Sequence, residues 1–152
     1  MRAPLYVRVM GAGYWTGMGA NLELVRSIYA ATGRGDYLGA AAFVHPDIEF
    51  TAVGGPEVVE ARSLVEFAHQ WRDFLDSWED FRVVADTYRQ LDDSRFLVLF
   101  RRSGRGKGSS VEIAQLAGTE GADVLHLHDG KVIKWLSYWE RDRALADLGL
   151  EE

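Results

Sequence analysis

The 152-residue chain has no cysteine, only three prolines and four histidines, and nothing near the roughly 18 consecutive apolar residues that a membrane-spanning helix needs. The lack of cysteine excludes disulfides, thiolate metal ligands and cysteine nucleophiles, and it fits a reducing compartment, so a cytoplasmic location is expected. Basic residues are in the minority, 17 Lys and Arg against 23 Asp and Glu for a net charge of −6. That balance disfavours nucleic acid and anionic membranes as partners and leaves a small apolar molecule as the better fit. The first twenty residues are a poor signal peptide, because Arg8 interrupts the apolar stretch and Tyr14 and Trp15 crowd any cleavage point. Residues 1–20 are expected to form a loosely ordered tail, with Met1 and Met18 both open as starts. One domain is then expected over 21–149, with a short tail at 150–152, and a chain of this length can bury about 70% of its unfolded surface.

Helical signals fill the first half. Asn21 is a candidate cap for a helix with Leu22, Val25, Ile28, Tyr29 and Thr32 at helical spacing, stopped by Gly33 and Gly35. Asp36 can cap a short second helix from Tyr37 to Val44, which Pro46 forces the chain to leave. Ile48–Val53 reads as a short strand. Ser63 and Glu66 then form a capping box ahead of the stripe Leu64, Phe67, Trp71, Phe74, Leu75 and Trp78. From Phe81 the period turns to two or becomes continuous, which predicts strands over 81–89, 95–102, 111–117, 122–128 and 131–139. Asp92, Asp93 and Ser94 make a hairpin turn, SGRGKGSS a longer loop, and GTEG at 118–121 a bulge that bends the sheet. Residues 141–148 are a final short helix or a fraying tail. The pattern is an α+β domain, helices followed by a curved antiparallel sheet, the two enclosing an apolar pocket.

The segment ADVLHLHDGKVIKWLSYWE carries the most chemistry. Its Asp129-Gly130 turn admits two registers, and register decides which side chains share a face. A two-residue turn puts Lys134 beside Leu125. A three-residue turn with Gly130 left-handed groups Asp123, Leu125 and Leu127 with Ile133, Trp135, Ser137 and Trp139, and leaves His126, His128 and Lys134 opposite; this is preferred because it gathers the apolar residues. Asp123 then sits on a tryptophan-rich surface, where desolvation raises its pKa and favours a neutral acid able to donate a proton. A purely structural role, bonded to a neighbouring tyrosine, indole or amide, stands beside that reading.

Other candidates are weaker. His126 and His128 share a face but have no partners completing a metal set, so no metal or other cofactor is implied. GRGKGSS lacks the first glycine and the final Ser or Thr of a phosphate loop. Arg101, Arg102, Arg105 and Lys107 form a local basic patch with two readings, an anion site and a solvated hairpin loop, of which the loop is preferred.

The order of NLELVRSIYAATGRGD, HPDIEF, a capped aromatic helix, strands and ADVLHLHDGKVIKW resembles the nuclear transport factor 2-like superfamily, and within it the SnoaL-like branch. The resemblance covers about residues 21–149 and implies a cone-shaped α+β barrel, a strongly curved antiparallel sheet wrapped on three helices of the N-terminal half. It also implies polyketide cyclase-like, isomerase-like or lyase-like chemistry, or a non-catalytic binding module. Asp123 falls where such proteins place a pocket acid. Phe50 stands at the isomerase base position and Ile28 at the isomerase tyrosine, with Tyr29 one place off. Trp135, Leu136 and Ser137 replace the cyclase H-W-D run, so a second acid is missing. The expected pocket comprises Tyr29, Phe50, Phe67, Trp71, Phe74, Leu125, Ile133, Trp135 and Ser137 around Asp123. A homodimer is expected through the outer sheet face, where Val124, Val132, Leu136 and Tyr138 would otherwise be exposed.

Overall fold

The computed structural model describes residues 12–55, 59–109, 111–113, 115 and 118–150, with side chains from residue 19 onward. Helix α1 runs from Ala12 to Gly33. It therefore begins well before Asn21, which lies inside it rather than at its cap, and residues 12–20 are helical rather than a loose tail; residues 1–11 lie outside the described part. Asp36 caps α2 (Tyr37–Ala41), its Oδ1 accepting from the Gly39 amide at 2.9 Å. The capping box of α3 (Leu64–Asp76) forms with a shift. Ser63 Oγ accepts from the Glu66 amide at 3.1 Å, while Glu66 Oε1 reaches back to the amide of Arg62 at 2.8 Å. Trp78, read as the end of this stripe, instead opens a strand.

Six strands make one sheet: β1 (Val44–Val53), β2 (Val59–Ala61), β3 (Trp78–Gln90), β4 (Arg95–Gly106), β5 (Glu120–His128) and β6 (Lys131–Tyr138). Their order is β2-β1-β6-β5-β4-β3. The sheet is mixed, because β1 runs parallel to β6 while the other pairs are antiparallel. It is also open, with β2 and β3 as edges: the expected α+β fold with a curved sheet is present, but the sheet is not wholly antiparallel and does not close into a barrel. Helix α3 packs against β1 and β2 at one edge and β3 at the other, and so bridges the opening. Pro46 is accommodated where the β1–β6 register jumps between Val44 and Glu49, since a proline has no amide for the ladder. No strand forms over the described part of 111–117, where Glu112 makes one isolated bridge to Arg105; residues 114, 116 and 117 lie outside the described residues. GTEG is not a bulge either: Gly118, at φ 75°, turns the chain into β5, and the register shifts of β3 fall at Glu79/Arg82 and Ala85/Thr87.

The last hairpin combines both registers. Asp129 and Gly130 have φ of 49° and 75° and form a two-residue turn that pairs His128 with Lys131. Ile133 is then bulged out, the register slips between His126 and Leu127, and the preferred pairing resumes with Leu125 opposite Trp135 and Asp123 opposite Ser137.

Alternation gives the sheet two apolar faces. The concave face carries Phe96, Val98, Leu125 and, after the bulge, Val132, packed with Val25, Ile28 and Tyr29 of α1. The convex face carries Leu97, Leu99, Val124 and Tyr138 under Ala144 and Leu145 of a C-terminal helix, α4 (Arg141–Leu148). Arg141 anchors that helix by donating to the Phe100 carbonyl at 2.7 Å and to Asp86 at 3.1 Å. Val124, Val132 and Tyr138 are thus buried within one chain at 1%, 0% and 6% exposure, which removes the reason given for a dimer through them. Truncating Leu145, 6% exposed, to Ala is expected to cost about 2–4 kcal/mol in denaturant unfolding; an unchanged midpoint would mean that α4 does not hold the convex face.

Candidate active site

Asp123 reaches the concave face because β5 alternates, and the ring beside it comes from α1. The Tyr29 hydroxyl donates to Asp123 Oδ2. The tyrosine that seemed one place off is therefore the one in position, while Ile28 packs into the core at 1% exposure. Asp123 is only 5% exposed, and its Oδ1 is buried without a hydrogen-bond partner. Burial pushes the carboxyl up to about 6, opposed by Tyr29, then by Ser137 and Trp135 beside it and by the charge of Arg102. Ser137 and Trp135 act by proximity, since neither completes a hydrogen bond to Oδ1. Tyr29 is raised well above its ordinary value, first by burial and then by the Asp123 charge, so it stays protonated as a donor. A midpoint near 6 brings both protonation states within reach close to neutral pH. The direction is the one the sequence predicts for a carboxyl on an apolar face. The group is poised to accept a proton as well as to give one.

A cavity of about 860 Å³ opens between the concave face, α2 and α3, with Asp123 in its wall. Tyr29, Phe50, Phe67, Trp71, Phe74, Trp135 and Ser137 all line it. Its aromatic wall is made of two groups of rings: Phe67 stacks on Phe50 at 4.4 Å and meets Trp135 edge-on at 5.5 Å, while Trp71 and Phe74 stack at 5.6 Å. None of the α3 residues is fully buried, because the helix presents its stripe to the cavity rather than to a packed core. Two expected members are elsewhere. Leu125 is fully buried among the concave-face core residues, and Ile133, the bulged residue, is 37% exposed and outside the lining.

Arg102 is the residue the sequence reading misplaced. It follows Phe96, Val98 and Phe100 at a spacing of two, so it points inward and lines the cavity at 6% exposure, whereas Arg101 points out and pairs with Asp86 at 2.9 Å. Its guanidinium donates to the carbonyls of Gly118 and Trp139 and lies 4.9 Å from the Trp139 ring centre. A side chain at Gly121 would meet Arg102 Nη1 and Phe100, each at 2.6 Å, so glycine at that position leaves room for the guanidinium.

The SnoaL-like domain family matches residues 25–135. Among solved structures, an NTF2-like protein from Burkholderia thailandensis superposes with a TM-score of 0.69 at 20% identity, over 86% of this chain and 98% of the other. TerC, crystallised with polyporic acid, superposes with a TM-score of 0.66 at 15% identity over 85% and 97% of the two chains. A protein of Xanthomonas campestris, provisionally assigned as a polyketide cyclase, gives 0.64 at 16% identity over 87% and 98%. At these identities the structural likeness speaks for the fold, and no curated protein matches the sequence. The family match spans most of the chain and agrees with the helices, curved sheet and cavity built above: the protein belongs to the SnoaL-like domain family.

Proposed function

We propose that the protein binds a small apolar carbonyl compound in the cavity and moves a proton on it with Asp123, as a cyclase, isomerase or lyase would. The observation carrying this reading is a buried carboxyl with one oxygen held by Tyr29 and the other unpartnered, in the wall of an aromatic cavity. A structural carboxylate is expected to have both oxygens satisfied, since leaving one buried and unmade costs about 1–3 kcal/mol or more. A proton carrier needs that oxygen for the substrate. Asp123 Oδ1 would take a proton from the carbon next to the carbonyl and return it to the same or a conjugated carbon, while Tyr29 steadies the ionised form through Oδ2. The likeness to the Xanthomonas protein supports this reaction class, and the likeness to TerC supports a cavity of this fold holding an organic acid.

A second reading is a binding module without turnover. It draws on the lining itself: the other carboxylates there, Asp73 and Asp76, are exposed residues of α3, so no second acid faces Asp123 from the described interior.

Proton exchange into 2-tetralone in heavy water, followed by NMR, separates the two. Asp123→Asn is expected to lower the rate by about 10²–10⁴-fold. The wild-type rate should rise with pH through a midpoint near 6 as the carboxylate forms. Binding without exchange, unaffected by the substitution, would favour the binding module.

The same group predicts stability. Its folded pKa of about 6 lies above the ordinary 3.8, so the folded state holds the proton more tightly. The resulting stabilisation is complete below pH 4 and lost as pH rises through 6. Asp123→Asn, which never ionises, should escape that loss, on the order of 2 kcal/mol by unfolding measured from about pH 4 to 8. A wild-type protein and variant with parallel pH profiles would show that Asp123 titrates normally.

A further inference from the structure

The proposed proton transfer leaves one feature of the cavity unused, the guanidinium of Arg102. Burying a guanidinium is costly unless its environment compensates, and two carbonyls and an indole face are among the groups that do so here. The cation senses the charges of Asp123 and Glu140, but Asp123 accepts its closest hydrogen bond from Tyr29. Arg102 therefore sits in the cavity wall as a fixed positive charge close to, and distinct from, the proton carrier. Arg72, the other cation of the described lining, is exposed on α3. The rest of the wall is mostly aromatic and apolar, with Thr32, Gln70 and Ser137 among its neutral polar members, so it would hold a flat, greasy body and offers no second buried cation to orient an anion.

From this arrangement we infer that Arg102 is a specificity-determining residue, selecting flat aromatic compounds that carry a conjugated anionic oxygen, a carboxylate or an enolate, and placing that oxygen at the end of the cavity made by Arg102 and Trp139. The inference rests on the small-molecule reading above and narrows its substrate class. It also gives the proton transfer a counterpart, because a carbonyl oxygen placed there would meet a preorganised cation as negative charge develops on it. A purely structural Arg102 would join the start of β5 to the end of β6 through the Gly118 and Trp139 carbonyls. Such a clamp would not distinguish ligands by charge.

The test compares 2-naphthoate with 2-naphthamide, two planar probes of nearly equal size of which only the first is an anion, by calorimetry on wild-type protein and on Arg102→Gln and Arg102→Lys. Wild type is expected to prefer naphthoate about tenfold, the difference between a charge-assisted and a neutral hydrogen bond. Arg102→Lys should retain part of the preference, and Arg102→Gln should abolish it. Equal wild-type affinities would overturn the inference with the cavity reading intact, whether or not the variants fold, and so would a preference that survives Arg102→Gln. Failure of both probes to bind wild type would overturn the cavity reading and this inference with it.

Discussion

The hydrogen bond from Tyr29 to Asp123 ties the first helix to the middle of the sheet, and the rest of the site is arranged around the cost of burying that carboxyl. A carboxylate in an apolar wall is unfavourable unless donors and a nearby cation offset the lost hydration. Here the offset is partial. One oxygen has Tyr29, Ser137 and Trp135 stand close without completing a bond to the other, and Arg102 contributes charge at a distance. Partial compensation is what leaves the group titrating within the range useful for proton transfer, since full compensation would hold it ionised and none would hold it neutral.

That placement depends on the sheet being buried on both faces. With α4 covering Leu97, Leu99, Val124 and Tyr138, the convex side is a packed core in its own right, and β4 and β5 are held from behind while their concave side faces the cavity. Arg141 adds fixed hydrogen bonds across β3 and β4 to the same clamp. The concave side can then afford an opening, because the missing packing under α3 is offset by the convex core and by aromatic contacts around the rim. A one-residue bulge at Ile133 completes the design: it lets a tight Asp129-Gly130 turn coexist with the register that sets Asp123 opposite Ser137.

Local patterns were legible in the sequence, and long-range pairings were not. The Asp36 and Ser63 caps, the aromatic stripe of α3 and the inward parity of Asp123, Trp135 and Ser137 all follow from spacing, and each stands where that spacing puts it. The parallel β1–β6 pair joins segments far apart in the chain and has no local signal. Helix α1 extends back across Gly13, Gly17 and Gly19, against the low helix propensity of glycine, and so escaped a reading built on caps and propensity. Leu125 and Ile133 were assigned to the pocket because parity alone cannot tell a residue beneath the cavity from one lining it, nor foresee a bulge. Arg102 was legible in principle, by counting in twos from Phe96, but its basic neighbours suggested a solvated loop.

The claim that everything else leans on is that Asp123 is buried and only partly compensated. A ¹³C NMR titration of its carboxyl carbon, assigned with Asp123→Asn, measures this directly. The account predicts a midpoint near 6, and a midpoint at the ordinary value of 3.8 or below would contradict it.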